Sequence, residues 1–473
     1  MPTILLVNPP NVPNTDPVHL MPRTDLLQDA ALLRDLGCTP HHFDMDLARA
    51  GLDDLIEWTA VHIPDWIYFL LDDVVPLHSA EAFELLCQMG SAVKQLALDI
   101  GKQIRVIMGG MTPSFFVETI LDRGAADFVL LGPTGPALRE LFSPGHHRRV
   151  ATLGEGGRHA HPGYYANDRW PSAAELQNLY RCTDYGLADL TAYPGVVMPL
   201  LSSRGCDNGP GCSFCPNHPF WGDAKSLSPD AIARDIHYLV DQGYQSFLFI
   251  DVNFGFDANR MLQIGNELRQ HDVVWGCICR VDMDLSTLPA LRDSGLRFVQ
   301  FGVEAGDDRT LAQLGKRTTV RQVRDAFARC HALEIRTRAS FIIDIVDDKE
   351  AIENTTSLIV ELEPSEVKPH FLGVRPYTRI ANPQGQRCIQ DTGIYVKTPR
   401  FDTVKAEYAR KRLDEMLKQQ RAAGYQVVDH PNIPGPTWAE LLAGWRNHSA
   451  APRFGCLGPS PYGIGWARPA RRL

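Results

Sequence analysis

Short apolar runs alternate with helically spaced ones along residues 1–145. "TILLVN" reads as a buried strand, and "TDLLQDAALLRDLGC" carries helical apolar spacing that stops at Gly37. "HHFDMD", "WIYFLL", "RVIMGG" and "DFVLLG" are further strand candidates, with helical stretches such as "SAEAFELLCQMGSAVKQLALDIG" between them. Such alternation predicts a parallel, Rossmann-like (flavodoxin-like) α/β sheet covered by helices on both faces. Ligands of such sheets sit beyond the carboxyl ends of the strands. The loops after Asn8, Leu71, Met108 and Leu131 are therefore candidate binding loops. Residues 146–194, rich in Gly, His, Pro and aromatics, show no period and read as a connector.

The alternation resumes over residues 195–375. "GVVMPLLSS" is a strand, followed after a loop by the helix "SPDAIARDIHYLVDQG" with Ser228 as N-cap and Pro229 at the first helical position. The stretch as a whole reads as six strands with five helices between them. Apolar strands with helical crossovers predict a partial (β/α)6 barrel, open because eight units would be needed to close it. Residues 376–473 form a less regular C-terminal region, expected to cap or shape a substrate pocket. It holds one charged amphipathic helix, "FDTVKAEYARKRLDEMLKQQRAAG", and a tail rich in Pro, Gly and Trp.

Composition narrows the setting. The net charge of −9 gives no general pull toward nucleic acid or anionic membrane, so neither is expected as a partner. No run is long enough to span a bilayer, and "MPTILLVNPPNVPNTDP" lacks the basic start of a signal peptide. A cytoplasmic protein with reduced thiols is expected. Cys38, Cys87, Cys182, Cys330 and Cys388 are scattered singly and read as core or surface fillers.

Three other cysteines change the picture. In "SSRGCDNGPGCSFCPNHPFWG", Cys206, Cys212 and Cys215 are spaced C-x5-C-x2-C. Inert buried cysteines are normally dispersed, so the crowding points to a metal. One reading is zinc on Cys206, Cys212, Cys215 and His218. The other is a [4Fe–4S] cluster on three thiolates, with one iron left open to a small molecule. Spacing alone does not separate them. The loop follows the first barrel strand, on the face where barrel chemistry sits. A reactive cluster needs that address, whereas a structural zinc gains nothing from it.

"SSRGC…CSFC", "FLFIDVNFGFD", "CRVDMD" and "VQFGVEAGDDRTLAQLGK" resemble the radical S-adenosylmethionine (SAM) enzymes. They look most like the branch with an N-terminal cobalamin-binding domain. "ILLVNPP", "LLRDLGC", "VIMGG" and "DFVLLG…LREL" are similar to that domain in the same order, and the resemblance covers residues 1 to about 375. Two departures stand out. The family's CxxxCxxC has two extra residues here, and Gly209-Pro210-Gly211 can loop out to absorb them. Where the cobalamin half usually reads Gly-Glu-Gly-Glu, this chain has "GPTGP", with both acidic positions absent. The D-x-H-x-x-G motif is missing too. Its nearest match, at Asp235 and His237, lies on a barrel helix, so no histidine lower ligand for cobalamin is expected from it.

The resemblance implies that Cys206, Cys212 and Cys215 bind the cluster and that SAM chelates its fourth iron. Asp251, Asn253, Arg280, Glu304 and Arg338, on successive strands, are the expected SAM contacts, and the planar fork of Arg280 suits a carboxylate. Phe214 would pack against adenine. Asn8, Gly109, Gly110, Met111, Thr112 and Thr134 would touch the corrin or its tail. Cys277 and Cys279, two apart on one strand face, read as core. Cys456 reads as an ordinary free thiol, the other reading being a ligand or proton donor on a tail folded over the site.

The implied activity is a cobalamin-dependent radical SAM methyltransferase. Its substrate would be a small molecule, methylated at an unactivated carbon or a phosphinate phosphorus of a natural-product intermediate. A flavodoxin- or ferredoxin-type electron donor would be its partner. The first rival keeps the domains but replaces methylation by rearrangement, ring formation or SAM-derived group transfer, a reading that "GPTGP" favours. The second rival is a zinc-stabilised α/β binding protein.

Overall fold

A computed structural model describes residues 1–10, 21–71, 80–144, 149–154, 157–158, 170–193, 197–342, 348–370, 378–380, 425–427 and 453–455. Four short, nearly continuous apolar runs and the mixed stretch "TPHHFD" become the parallel strands β1 (Thr3–Asn8), β2 (Thr39–Asp44), β3 (Trp66–Leu70), β4 (Arg105–Gly109) and β5 (Phe128–Leu130). Their order is β2-β1-β3-β4-β5, the flavodoxin-like arrangement. Because side chains alternate across a strand, each run feeds two cores. Ile4, Leu6, Tyr68 and Leu70 pack with Leu26, Leu27 and Leu33 of the helix Thr24–Asp35. Leu5, Val7, Ile67 and Phe69 pack on the other face with Leu55, Leu86 and Met89.

Order was also found within 146–194, the segment that reads as aperiodic. β6 (Val150–Ala151) pairs antiparallel with β5, and Ala173–Leu179 is a helix whose N-cap Ser172 accepts a bond from the Glu175 amide. Two residues of strand and seven of helix are too short to carry a visible period.

The second sheet is built from β7 (Met198–Leu200), β8 (Ser246–Phe249), β9 (Val274–Arg280), β10 (Leu296–Glu304), β11 (Arg336–Ile342) and β12 (Glu366–His370). All pair in parallel and in chain order, so β7 and β12 are the two edge strands and, among the described residues, the barrel stays open. Crossover helices include Pro229–Asp241, Ala258–Arg269, Val320–Ala332 and Lys349–Leu362, N-capped by the side chains of Ser228, Asp257, Thr319 and Asp348. A further short helix, Asp308–Gln313, precedes Val320–Ala332. No helix among the described residues is long and apolar enough to cross a membrane.

The edge strand β7 leaves outward carbonyls that need partners. The first helix of the N-terminal sheet and the connector supply them. Thr24 Oγ1 donates to Pro199 O (3.2 Å), Gln28 Nε2 to Leu201 O (3.3 Å) and the Tyr185 hydroxyl to Pro199 O (2.7 Å). Arg204, just past β7, donates from Nη2 to Gln28 Oε1 at 2.6 Å.

One backbone approach in the first sheet is tight enough to test. Gly110 follows β4 at φ +109°, and a Cβ there would lie 1.8 Å from Leu71 O. Gly110→Ala combines left-handed strain with a backbone clash and is expected to cost about 2–4 kcal/mol. Gly37 also has positive φ (+85°) but nothing within 4 Å of a built Cβ, so Gly37→Ala is expected to cost about 1 kcal/mol. Urea midpoints of the two variants measure the difference.

Candidate active site

The cysteine loop grows from the carboxyl end of β7. Ser203–Arg204 pairs antiparallel with Lys225–Ser226, which closes the base of the loop. Just above, the Cys206 amide donates to Gly222 O at 3.1 Å. Gly205 (φ +81°) makes that neck possible, because a Cβ there would lie 2.4 Å from Asp223 O. Within the loop the Cys215 amide bonds Cys212 O (3.2 Å) and the Ser213 amide bonds Leu314 O (2.7 Å).

Two asparagines aim donors at sulfur. Asn208 Nδ2 lies 3.1 Å from Cys212 Sγ and also bonds Gly315 O at 3.0 Å. Asn217 Nδ2 lies 3.5 Å from Cys215 Sγ. Burial pushes the Cys206 thiol up to about 12, against the Asn208 amide that favours the thiolate. Burial raises Cys212 as well, opposed by the nearby cations Lys316 and Arg280. As free thiols these cysteines favour the neutral form, whereas coordination to a metal deprotonates a thiol outright.

The spacing of the ligand atoms speaks to the metal. A single zinc with bonds of about 2.3 Å holds its sulfurs only about 3.8 Å apart. Among the described residues, His, Cys, Asp and Glu ligand atoms gather in threes within 4.8 Å of one another only at His237, Glu267 and His271. Cys206, Cys212, Cys215 and His218 do not. His218 Nε2 sits 3.2 Å from Asp223 Oδ1. The ligand atoms of these four residues therefore do not converge as one tetrahedral ion requires.

The strand-end residues form a layered rim beneath the loop. Asp251, fully buried after β8, accepts from the Ser202 amide (3.0 Å), Ser202 Oγ (2.8 Å) and Ser203 Oγ (2.5 Å). Its carboxylate thus holds the stem of the loop, with the Arg260 guanidinium 3.9 Å away. Asn253 Nδ2 donates to Asp207 Oδ1 at 2.7 Å, and its Oδ1 accepts from the Arg280 amide at 3.0 Å. Arg280 ends β9 and donates from Nε and Nη2 to Asp282 (2.9 and 2.7 Å) and from Nη2 to Lys316 O (2.8 Å). Its Nη1 is buried and makes no hydrogen bond among the described residues. Glu304 ends β10 at φ +73° and accepts from Lys316 Nζ at 2.8 Å.

Arg338 stands apart from that rim. It lies in the middle of β11, fully buried, bonded to Glu366 Oε2 (2.7 Å) and Gln300 Oε1 (3.3 Å). Phe214 is half-buried against the main core. Cys277 and Cys279 are buried core residues with sulfurs 3.6 Å apart. Cys38, Cys87 and Cys330 are buried and Cys182 is exposed. Cys388 and Cys456 lie outside the described residues.

The candidates of the first sheet share its carboxyl edge. Asn8 Nδ2 donates to Asp44 Oδ1 (2.9 Å), and its Oδ1 accepts from Arg23 Nη1 (3.2 Å). A Cβ on Gly109 would press on Leu130 and Tyr68 at 2.9–3.0 Å. Met111, Thr112 and Thr134 are buried. Beside them, Tyr68 and Tyr180 donate to Asp29 (2.8 and 3.2 Å), whose carboxyl burial pushes up to about 7 against the bond from Tyr68.

Several residues of the site escaped the sequence reading. Asn208 and Asn217 each stand two residues after a cysteine, a repeated Cys-x-Asn that was there to be noticed. Lys316 closes the "LAQLGK" stretch without being singled out. No sequence signal marked Arg379 and Ile380. Past β12, Arg379 donates to Gly211 O, and the Ile380 amide donates to Ser213 O at 2.9 Å, so the chain returns to the cysteine loop.

Residues 200–359 match the Radical SAM superfamily. Among curated proteins, an anaerobic magnesium-protoporphyrin IX monomethyl ester cyclase from Rubrivivax gelatinosus is 25% identical over 292 residues, covering 57% of this chain and 51% of the cyclase. An uncharacterised methyltransferase from Pyrococcus horikoshii is 25% identical over 283 residues, covering 57% of this chain and 61% of that protein. The chain thus spans about half to three fifths of these relatives. Among solved structures, the radical SAM methyltransferase TsrM from Kitasatospora setae, with tryptophan substrate and a SAM analogue bound, superposes with a TM-score of 0.67. It is 18% identical, with coverage of 87% of this chain and 83% of TsrM. The cobalamin-dependent SAM radical enzyme OxsB, with aqua-cobalamin bound, gives 0.65 at 18% identity, covering 81% of this chain and 56% of OxsB. At these identities the structures establish a shared fold, a flavodoxin-like sheet domain followed by a partial barrel. The cysteine loop at the barrel mouth and the family match coincide, and residues 200–359 are a radical SAM domain.

Proposed function

We propose that the chain is a cobalamin-dependent radical SAM methyltransferase acting on a small molecule. The supporting observation is one chain with a flavodoxin-like sheet packed against an open barrel whose mouth carries three cysteines. When bound, the cluster and SAM supply one-electron cleavage of a carbon–sulfur bond, and cobalamin supplies a methyl carrier.

The chain's residues supply position. Cys206, Cys212 and Cys215 would hold the cluster, with Asn208 and Asn217 donating to its ligand sulfurs. The unpartnered Arg280 Nη1 is a buried donor suited to the SAM carboxylate. Asn253 and Glu304 stand on the same rim, and Asp251 keeps the loop stem in register. For cobalamin, the support is architectural. Asn8 is already paired and Gly109 and Gly110 serve the sheet's own packing, while Met111, Thr112 and Thr134 complete that edge. The reading includes a flavodoxin- or ferredoxin-type donor, and an unactivated carbon or phosphinate phosphorus of a natural-product intermediate as methyl acceptor.

A second reading, radical ring formation without methyl transfer, is favoured by "GPTGP" at 132–136 and by a relative named as a cyclase. The test is anaerobic reconstitution with iron, sulfide and cobalamin, followed by product analysis with SAM. Methyl transfer predicts both 5′-deoxyadenosine and S-adenosylhomocysteine. The first product without the second selects the cyclase-like reading. A chain that binds zinc but neither iron nor sulfide overturns both.

A further inference from the structure

We infer that the groove between the first two crossover helices of the barrel is a binding site for a divalent transition-metal ion, with zinc as its best fit. The ligands are His237, Glu267 and His271. His237 lies on the helix Pro229–Asp241, Glu267 in the last turn of Ala258–Arg269, and His271 two residues beyond that helix. Their ligand atoms all lie within 4.8 Å of one another. Glu267 Oε1 is 2.7 Å from His237 Nε2 and 3.8 Å from His271 Nε2. The imidazole rings stand 5.2 Å apart at 72°, so two nitrogens and a carboxylate oxygen converge from different directions. Gln270 Nε2 holds the other carboxylate oxygen at 3.3 Å.

The simpler account is a His237–Glu267 hydrogen bond alone, and it leaves one atom unexplained. His271 Nε2 is buried and makes no hydrogen bond among the described residues. At 3.8 Å, Glu267 is beyond hydrogen-bond reach. A ring nitrogen taken out of water without a partner is costly. One ion about 2.0–2.1 Å from each nitrogen would satisfy both imidazoles and the carboxylate together.

The ligand set selects the ion class. Two imidazoles and one carboxylate suit zinc, nickel or copper, whereas magnesium and calcium prefer oxygen ligands throughout. His237 is half-exposed, so water can complete a tetrahedral shell from the solvent side. Glu267 and His271 sit at or just past a helix C-terminus, where the backbone dipole favours a cation.

Location assigns the role. These helices end just before β8 and β9 begin, so the site lies at the amino-terminal end of the barrel, opposite the cysteine loop. Residues on that end of a barrel serve stability, not chemistry. The ion would pin two neighbouring crossovers and raise thermal stability by mass action.

Titration calorimetry with zinc on the cluster-loaded full chain tests this, alongside a chain with Cys206, Cys212 and Cys215 all replaced by alanine. A single zinc equivalent is expected in both, weakened at least about tenfold by His237→Ala or His271→Ala. Zinc should raise the melting temperature of the wild-type chain and leave that of His271→Ala unchanged, while magnesium moves neither. Unaltered zinc binding in His271→Ala, zinc binding that vanishes with the three cysteines, or no zinc binding in the cluster-loaded chain overturns the inference.

Discussion

Cys212→Ala is expected to lose SAM cleavage altogether while keeping its fold. The cysteine's structural work is done by backbone. Cys212 O receives the Cys215 amide, and the Ser213 amide is held by Leu314 O, so both survive truncation of the side chain. The folding cost is the contact from Asn208 Nδ2, about 1 kcal/mol, and Asn208 keeps its bond to Gly315 O. The chemical cost is total, because two thiolates no longer complete the trio that holds the cluster. Iron and sulfide per chain should fall to near zero, 5′-deoxyadenosine should be undetectable, and the circular dichroism spectrum should be unchanged. Cys279→Ala, deep in the barrel core, should do the reverse, losing some stability and keeping its iron. Robust cleavage by Cys212→Ala would remove the cysteine loop from the mechanism.

Asp251→Ala is expected to be the most destabilising single change at the barrel mouth, by about 3–5 kcal/mol. The side chain is fully buried, and its loss takes the acceptor from the Ser202 amide and the Ser203 hydroxyl and leaves Ser202 Oγ with Arg260 alone. It also removes a counter-charge from Arg260, which burial alone already pushes toward the neutral form. Arg260 keeps its bonds to Ser226 Oγ and Phe254 O and its stacking on Phe254 and Phe256, so the helix carrying it should survive. What slackens is the stem between β7 and Cys206. Asp251→Asn retains an acceptor for the amide and should cost clearly less. Urea midpoints rank the variants, and iron content after reconstitution should fall in the same order. Wild-type stability together with full iron loading in Asp251→Ala would refute the assignment of this carboxylate to the loop.

That residue also marks where sequence reading stops. "SFLFIDVNF" says plainly that a buried strand ends at an acidic residue, and the strand Ser246–Phe249 is there with Asp251 just beyond it. It does not say which way the carboxylate turns. Ser202 and Ser203, about fifty positions earlier, compete for it and win. Arg338 is similar, since strand membership was visible but its cross-strand partner Glu366 was not. Most sheet strands were legible as near-continuous apolar runs, and the mixed ones, such as "TPHHFD" and "EVKPH", by their place in the strand–helix alternation, whereas Val150–Ala151 was too short to show. Zinc and cluster could not be separated from spacing because C-x5-C-x2-C carries no distances. His218 looked like a fourth ligand, yet it packs against the inserted turn, where a Cβ on Gly211 would lie 2.7 Å from its own.

The bond from Arg204 to Gln28 ties a residue two positions before Cys206 to the other domain. Arg204 also stacks on Tyr180 and Trp221, so its guanidinium is enclosed on several sides. A barrel excised at residue 195 would carry that guanidinium without its glutamine. Any chimaera that grafts a foreign front half onto this barrel must therefore import an amide acceptor in the same place, or accept a cluster mouth that no longer closes on itself.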